Sequence, residues 1–172
     1  MVIISVDTTL STIGFAGKTA EQFFGLLQGA GITKLVDIRE NRVGQLQGFA
    51  KFPDLAFFLE KLLGASYQYE PFLAPSPEIR EAYRESRDWS QYEASFNQLM
   101  AERGMPEKIG STPFEGHVAL LCSEPGPEKC HRRLVAEMLA SHWRAAGHRV
   151  EIQHLVVQKP KRASKPKRTK TP

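Results

Sequence analysis

The run His117-Val-Ala-Leu-Leu-Cys122 constrains this chain most, because it is the most strand-like stretch and feeds a long helical pattern from about Cys130 to Ala146. A continuously apolar strand needs cover on both faces, as in parallel sheets joined by crossover helices. The rest of the chain alternates in the same way. Val2–Val6 and Leu10–Gly14 are β-prone, as one bent strand or two. Thr19-Ala-Glu-Gln22 makes a capping box. Phe23, Phe24, Leu26, Leu27 and Ala30 follow at helical spacing, and Gly31 closes that helix. Lys34–Ile38 reads as a buried strand. Asp54 is expected to cap a helix bearing Leu55, Phe58, Leu59, Leu62 and Leu63, ended by Gly64. Tyr67–Tyr69 is a short strand. Ser76-Pro77-Glu78 starts a helix with proline at its first position, and Ser90–Arg103 is another. Gly104–Glu115 reads as a connection and Arg149–Val157 as the last strand. The expected fold class is α/β, three-layer and Rossmann-like. A mostly parallel sheet of at least four strands carries helices on both faces, in a single domain over residues 1–157.

Ligands of such sheets bind beyond the carboxyl ends of the strands. That rule selects Gly14–Lys18, Asp37–Lys51, Phe72–Ser76 and Cys122–Arg133 as site loops. The last is the richest in chemistry: Cys122-Ser-Glu124-Pro-Gly-Pro-Glu-Lys-Cys130-His131-Arg132-Arg133. Cys130 falls at a helix start, where unpaired N–H groups, the helix dipole and Arg132 and Arg133 favour a thiolate or a bound anion. A low-pKa thiol beside His131 is one recipe for an activated nucleophile. Cys122 is either a second reactive thiol or a small buried apolar group. Two arginines in a first helical turn oppose the macrodipole, which asks for an anionic partner, either a ligand or Glu124.

Asp37 and Arg39 share one side of their strand. Asp37 is a general base, an orienter of Arg39 or His131, or half of a structural ion pair. The polar stretch Glu40–Pro53, with Arg42, Gln45, Gln47 and Lys51, has the length of a binding loop. Gly14-Phe-Ala-Gly17 is a weak anion-binding signal. The phosphatase pattern of cysteine, five residues and arginine is absent, since position 128 is Glu, and there is no GxxxxGK[ST] loop. Cys122, Cys130, His131 and His117 offer metal-ligating atoms, but no paired CxxC spacing exists, so neither a metal nor a cofactor is expected.

Thr12-Ile13-Gly14-Phe15, Leu35-Val36-Asp37-Ile38-Arg39, Gly48-Phe49-Ala50-Lys51, Leu121-Cys122-Ser123-Glu124 with Cys130-His131-Arg132, and His154 stand in an order and spacing that resembles the domain-of-unknown-function family 488, over about residues 10–156. The resemblance implies a three-layer α/β domain. It also implies a shared cluster of Asp37, Arg39, Cys122, Glu124, Cys130, His131 and Arg132, but no settled activity. The chain departs from the family pattern at Phe15, where histidine or tyrosine is common. It departs again at Glu40-Asn41-Arg42-Val43-Gly44, where a proline is usual, and at Ala50, where serine is common.

The chain has 172 residues, about the size of one domain. No apolar run reaches the ~18–20 residues of a membrane span, so no membrane partner is expected. The N-terminus lacks the pattern of a secretory signal. Two cysteines suit a reducing cytosol, and the expected location is cytoplasmic. The net charge of +4 belongs to residues 158–172, which hold Lys159, Lys161, Arg162, Lys165, Lys167, Arg168 and Lys170 and no acid. Setting those seven aside leaves 16 basic against 19 acidic residues. This basic tail is expected to be disordered, either a solubility tail or a clamp on nucleic acid.

Two functions follow as expectations. One is an enzyme acting on an anionic small molecule, nucleotide or nucleic acid. Cys130 or Cys122 is its nucleophile or redox thiol, His131 the acid/base, and Asp37 and Glu124 orienters. Arg39, Arg132, Lys51 and the Gly14 turn hold the anion. The other is a nucleic-acid-binding module without chemistry, built on the tail and the arginines.

Overall fold

The computed structural model describes residues 7–44, 47–110, 114 and 116–158. The tail lysines and arginines, Gln45 and the β-prone stretch Val2–Val6 lie outside the described residues.

Five strands, β1 (Asp7–Gly14), β2 (Lys34–Asp37), β3 (Ser66–Tyr69), β4 (Val118–Cys122) and β5 (Arg149–Leu155), form one sheet in the order β3-β2-β4-β1-β5. Every pairing is parallel. β4 is central, and all five of its residues are buried. Its alternate side chains divide the core in two. Val118 and Leu120 pack with Leu10, Val36, Ile38 and Val150 under one helical layer. Ala119 and Leu121 pack with Ile13, Leu35 and Leu155 under the other.

Five helices make the layers: α1 (Ala20–Gly29), α2 (Asp54–Phe58), α3 (Pro77–Ser86), α4 (Trp89–Glu102) and α5 (His131–Ala145). The crossovers β1–α1–β2 and β2–α2–β3 both run toward the β3 edge. Those carrying α3, α4 and α5 run toward the β5 edge. Connections of one hand that travel in opposite directions must lie on opposite faces. So Phe23, Phe24, Leu27 and Leu55 cover one face, and Phe96, Met100, Leu134, Val135 and Leu139 cover the other. β2 and β4 are neighbours whose outgoing loops therefore part to opposite faces, opening a crevice at their carboxyl ends.

The capping box at Thr19 is present, with Gln22 N–H on Oγ1 and Gln22 Oε1 on the Thr19 N–H. Ser76 caps α3 ahead of Pro77, and Asp88 caps α4. The expectation for Asp54 is corrected: it is the first residue of α2 rather than its cap, with Pro53 before it. There its charge suits the helix dipole. The same helix continues as a π-helical turn, Leu59–Leu63, that buries Leu59 but leaves Leu62 56% exposed. The wider turn breaks the 3.6-residue phase on which a core position for Leu62 depends.

Candidate active site

Cys122 is the last residue of β4 and follows Leu120 in facing the α3–α5 side. The loop after it curls over the end of β1 and delivers Cys130 as the N-cap of α5, with His131 as its first residue. All three side chains are buried. Nδ1 of His131 is 3.5 Å from Sγ of Cys122, and its Nε2 is 3.0 Å from the carbonyl of Ile38, the residue just after β2. A carbonyl only accepts, so Nε2 carries a proton and Nδ1 is the atom left to exchange one with the thiol.

Burial alone would push the Cys122 thiol up. A hydrogen bond from Cys130, the charge and hydrogen bond of His131 and the Glu124 amide outweigh it and hold the thiol well below its ordinary value. Burial would likewise lower His131, but the facing Cys122 charge, its hydrogen bond and the Ile38 carbonyl raise it. Cys130 is pushed up, by burial first and then by the Cys122 hydrogen bond and charge. The pull of the helix N-terminus on Cys130 is opposed by its burial, while Cys122 is the sulfur that His131 faces. Desolvation beside the Cys122 charge disfavours a second thiolate at Cys130.

Arg132 is fully buried. Its NH1 donates to the Glu124 carbonyl at 2.6 Å and lies 3.5 Å from Cys130 Sγ, while Nε and NH2 have no partner. Its contact to Glu124 is through the backbone, not the carboxylate. The Glu124 carboxyl sits at the pocket rim, raised by partial burial and then by the Cys122 charge. Arg133 is tied to Glu137 and Glu93 at 3.0 Å.

Four expected site residues take other roles. Asp37 lies across the sheet from Cys122 and does not orient His131. Its carboxylate accepts from Arg39 Nε at 2.7 Å, Arg39 NH2 at 2.6 Å and the Tyr67 hydroxyl at 2.7 Å. Arg39 NH1 goes to the Ala50 carbonyl at 2.9 Å. This is the structural ion pair, bracing the exit from β2, and Arg39 reaches the pocket only as part of its wall. Gly14 is no anion cradle. The N–H groups of Phe15 and Ala16 go to the carbonyls of Cys122 and Ser123. A Cβ on Gly14 would lie 1.7 Å from the Glu124 carbonyl oxygen, so glycine is there to let the Cys122 loop approach. Lys51 does not line the pocket over Cys122; its carbonyl accepts from Leu55 N–H.

Cys122, Cys130 and His131 form the floor of a pocket of about 550 Å³. Its wall includes Arg39, Arg80, Arg84, Arg87 and Lys129 against Glu40 and Glu124, so cations predominate. Arg80 pairs with Glu40, yet its Nε is buried without a partner. An aromatic ladder links the wall to the floor. Trp89 stacks on Tyr92 with ring centroids 4.8 Å apart, Tyr92 on Phe96 at 6.2 Å, and Phe96 meets the His131 ring at 5.9 Å.

A model for the family described as Domain of unknown function DUF488 matches residues 19–139. The chain belongs to this family. The match takes in the whole Cys122–Arg132 loop and the Asp37–Arg39 pair of this DUF488 protein. Thr12 and His154 lie outside the matched residues but meet each other, Oγ1 to Nδ1, at 2.7 Å. No curated protein and no solved structure matches the chain. No helix among the described residues is long and apolar enough to cross a membrane.

Sequence reasoning missed the α3 wall. Arg80 and Arg84 stand at i and i+4, a spacing that puts two cations on one helical face, and Arg87 follows as the C-cap of α3. That signal is legible, but nothing in the sequence ties the face to Cys122.

Proposed function

We propose that this protein is an enzyme acting on an anionic, nucleotide-like substrate, with Cys122 as nucleophile and His131 as its acid/base. The observation that carries the reading is the Nδ1–Sγ contact of 3.5 Å, with Nε2 committed to the Ile38 carbonyl at 3.0 Å, on the floor of a cationic pocket. A base oriented by a second group against a thiol is the arrangement of covalent catalysis. The arginines of α3 hold the substrate anion. Sγ attacks an electrophilic carbon, the bond to the leaving group breaks, and the proton on His131 Nδ1 goes to that group. Water then cleaves the thio-linked intermediate and returns a proton to His131. Carbon is favoured over phosphorus because Glu128 stands where a phosphate-cradling arginine would be.

The binding-module reading now rests on the tail, since Arg132 is buried and Arg133 is paired. The enzyme reading is tested by alkylating the reduced, chelator-treated protein and following Cys122 and Cys130 separately by mass spectrometry. Fast labelling of Cys122 at neutral pH, lost in His131→Gln, supports it. Equally slow labelling of both thiols overturns it.

A further inference from the structure

Two sulfurs and one ring nitrogen, from Cys122, Cys130 and His131, lie within 4.8 Å of one another. We propose that these atoms bind a thiophilic divalent cation of zinc's class, and that the bound ion occupies Cys122 and silences it as a nucleophile.

Four features carry the inference. The first is distance. Zinc takes sulfur at about 2.3 Å and imidazole nitrogen at about 2.0–2.1 Å. A tetrahedron with those bonds has an S–N edge of about 3.5 Å. The Sγ–Nδ1 separation here is 3.5 Å. The second is the histidine's orientation. Ligating histidines commonly donate their other N–H to a carbonyl or carboxylate. His131 does so at Ile38 O, 3.0 Å away, which aims the Nδ1 lone pair at the sulfurs.

The third is support for a thiolate at the helix cap. Arg132 NH1 lies 3.5 Å from Cys130 Sγ. Loading a dication on two thiolates displaces the Cys130 proton and leaves a neutral core, with Arg132 beside the new thiolate. The fourth is the open side. The three residues line the pocket, so the remaining coordination position faces it, as in sites that keep a water or substrate ligand. His117 is not the fourth ligand. It precedes β4 at the opposite end of the strand, about 16 Å away at ~3.3 Å per residue. Without a CxxC signature, the fold itself assembles the site from a strand end, a helix cap and a helix start.

The test is titration of the full-length, reduced, chelator-treated protein with Co²⁺ and Zn²⁺. Expected are one equivalent of Co²⁺ bound, a near-ultraviolet thiolate-to-cobalt charge-transfer band, and bleaching of that band by Zn²⁺. Cys130→Ser and Cys122→Ser should each weaken binding about tenfold or more. Circular dichroism establishes that they fold. Zn²⁺ should also protect Cys122 from alkylation reversibly. No charge-transfer band, or binding unchanged in the folded Cys122→Ser/Cys130→Ser double variant, overturns the site. The metal-free alkylation arm separates this inference from the enzyme reading. A reactive Cys122 without metal binding sinks only the site. Metal binding with an unreactive metal-free Cys122 sinks only the nucleophile.

Discussion

His131, on α5, closes the crevice between two strands by donating from Nε2 to the carbonyl of Ile38, 3.0 Å away on the far side. That bond fixes the ring so that Nδ1 faces Cys122, and it sets the pH behaviour of the thiol. The Cys122 pKa is depressed, so in metal-free protein alkylation should persist as pH falls below the ordinary thiol range near ~8.5. It should be lost only as pH falls through the depressed value. In His131→Gln the profile should move to higher pH, and reactivity at neutral pH should drop about tenfold for each pH unit that it moves. An unmoved profile would show that His131 does not set the thiol.

Asp37 makes a different claim, since it lies across the sheet from the thiols. Asp37→Asn breaks a buried ion pair and should cost about 3–5 kcal/mol in denaturant unfolding. The double variant Asp37→Leu/Arg39→Met should recover most of that loss. Under conditions where Asp37→Asn is folded, Cys122 labelling should match the parent. A collapse of labelling in folded protein would restore Asp37 to the reaction.

Gly14→Ala tests the close approach of the Cys122 loop. The added methyl would lie 1.7 Å from the Glu124 carbonyl oxygen and 2.6 Å from Arg132 NH1. Backbone must move, so the loss should reach the upper part of the usual overpacking range, about 3 kcal/mol. An unfolding midpoint equal to that of the parent would count against this geometry.

The cationic wall predicts anion affinity. Arg84→Ala should weaken binding of a mononucleotide roughly tenfold or more, the worth of a hydrogen bond to a charged group. Stability should barely change, because Arg84 is exposed and pairs only with Glu81 at the surface. Calorimetric titration, with Lys61→Ala as a remote control, measures it. Equal affinities would remove α3 from the site.

Local signals carried most of the fold. The Thr19 box, the Ser76–Pro77 start and the runs 34–38 and 117–122 each use a short-range rule, and each stands within a residue or two of its element. Strand order is not local, so the parting of the β2 and β4 loops was invisible. Leu62 failed because a π-helical turn changes the period. At the site, Cys122, Cys130 and His131 were legible as a cluster. Which thiol is depressed and which is raised was not, because that depends on which sulfur His131 faces and on burial that sequence does not reveal. Asp37 misled because strand alternation tells which residues share a face but not which face the thiols use.

The ladder of Trp89, Tyr92, Phe96 and His131 makes the pocket optically visible. The chain has two tryptophans. Trp143 packs on Phe114, away from that ladder, so replacing it with phenylalanine leaves Trp89 as the sole indole emitter. Trp89 lines the pocket and stands two rings from His131. Its emission will respond to a charge or ligand arriving at the floor, so the protein carries a built-in reporter with which unknown substrates can be screened without a label.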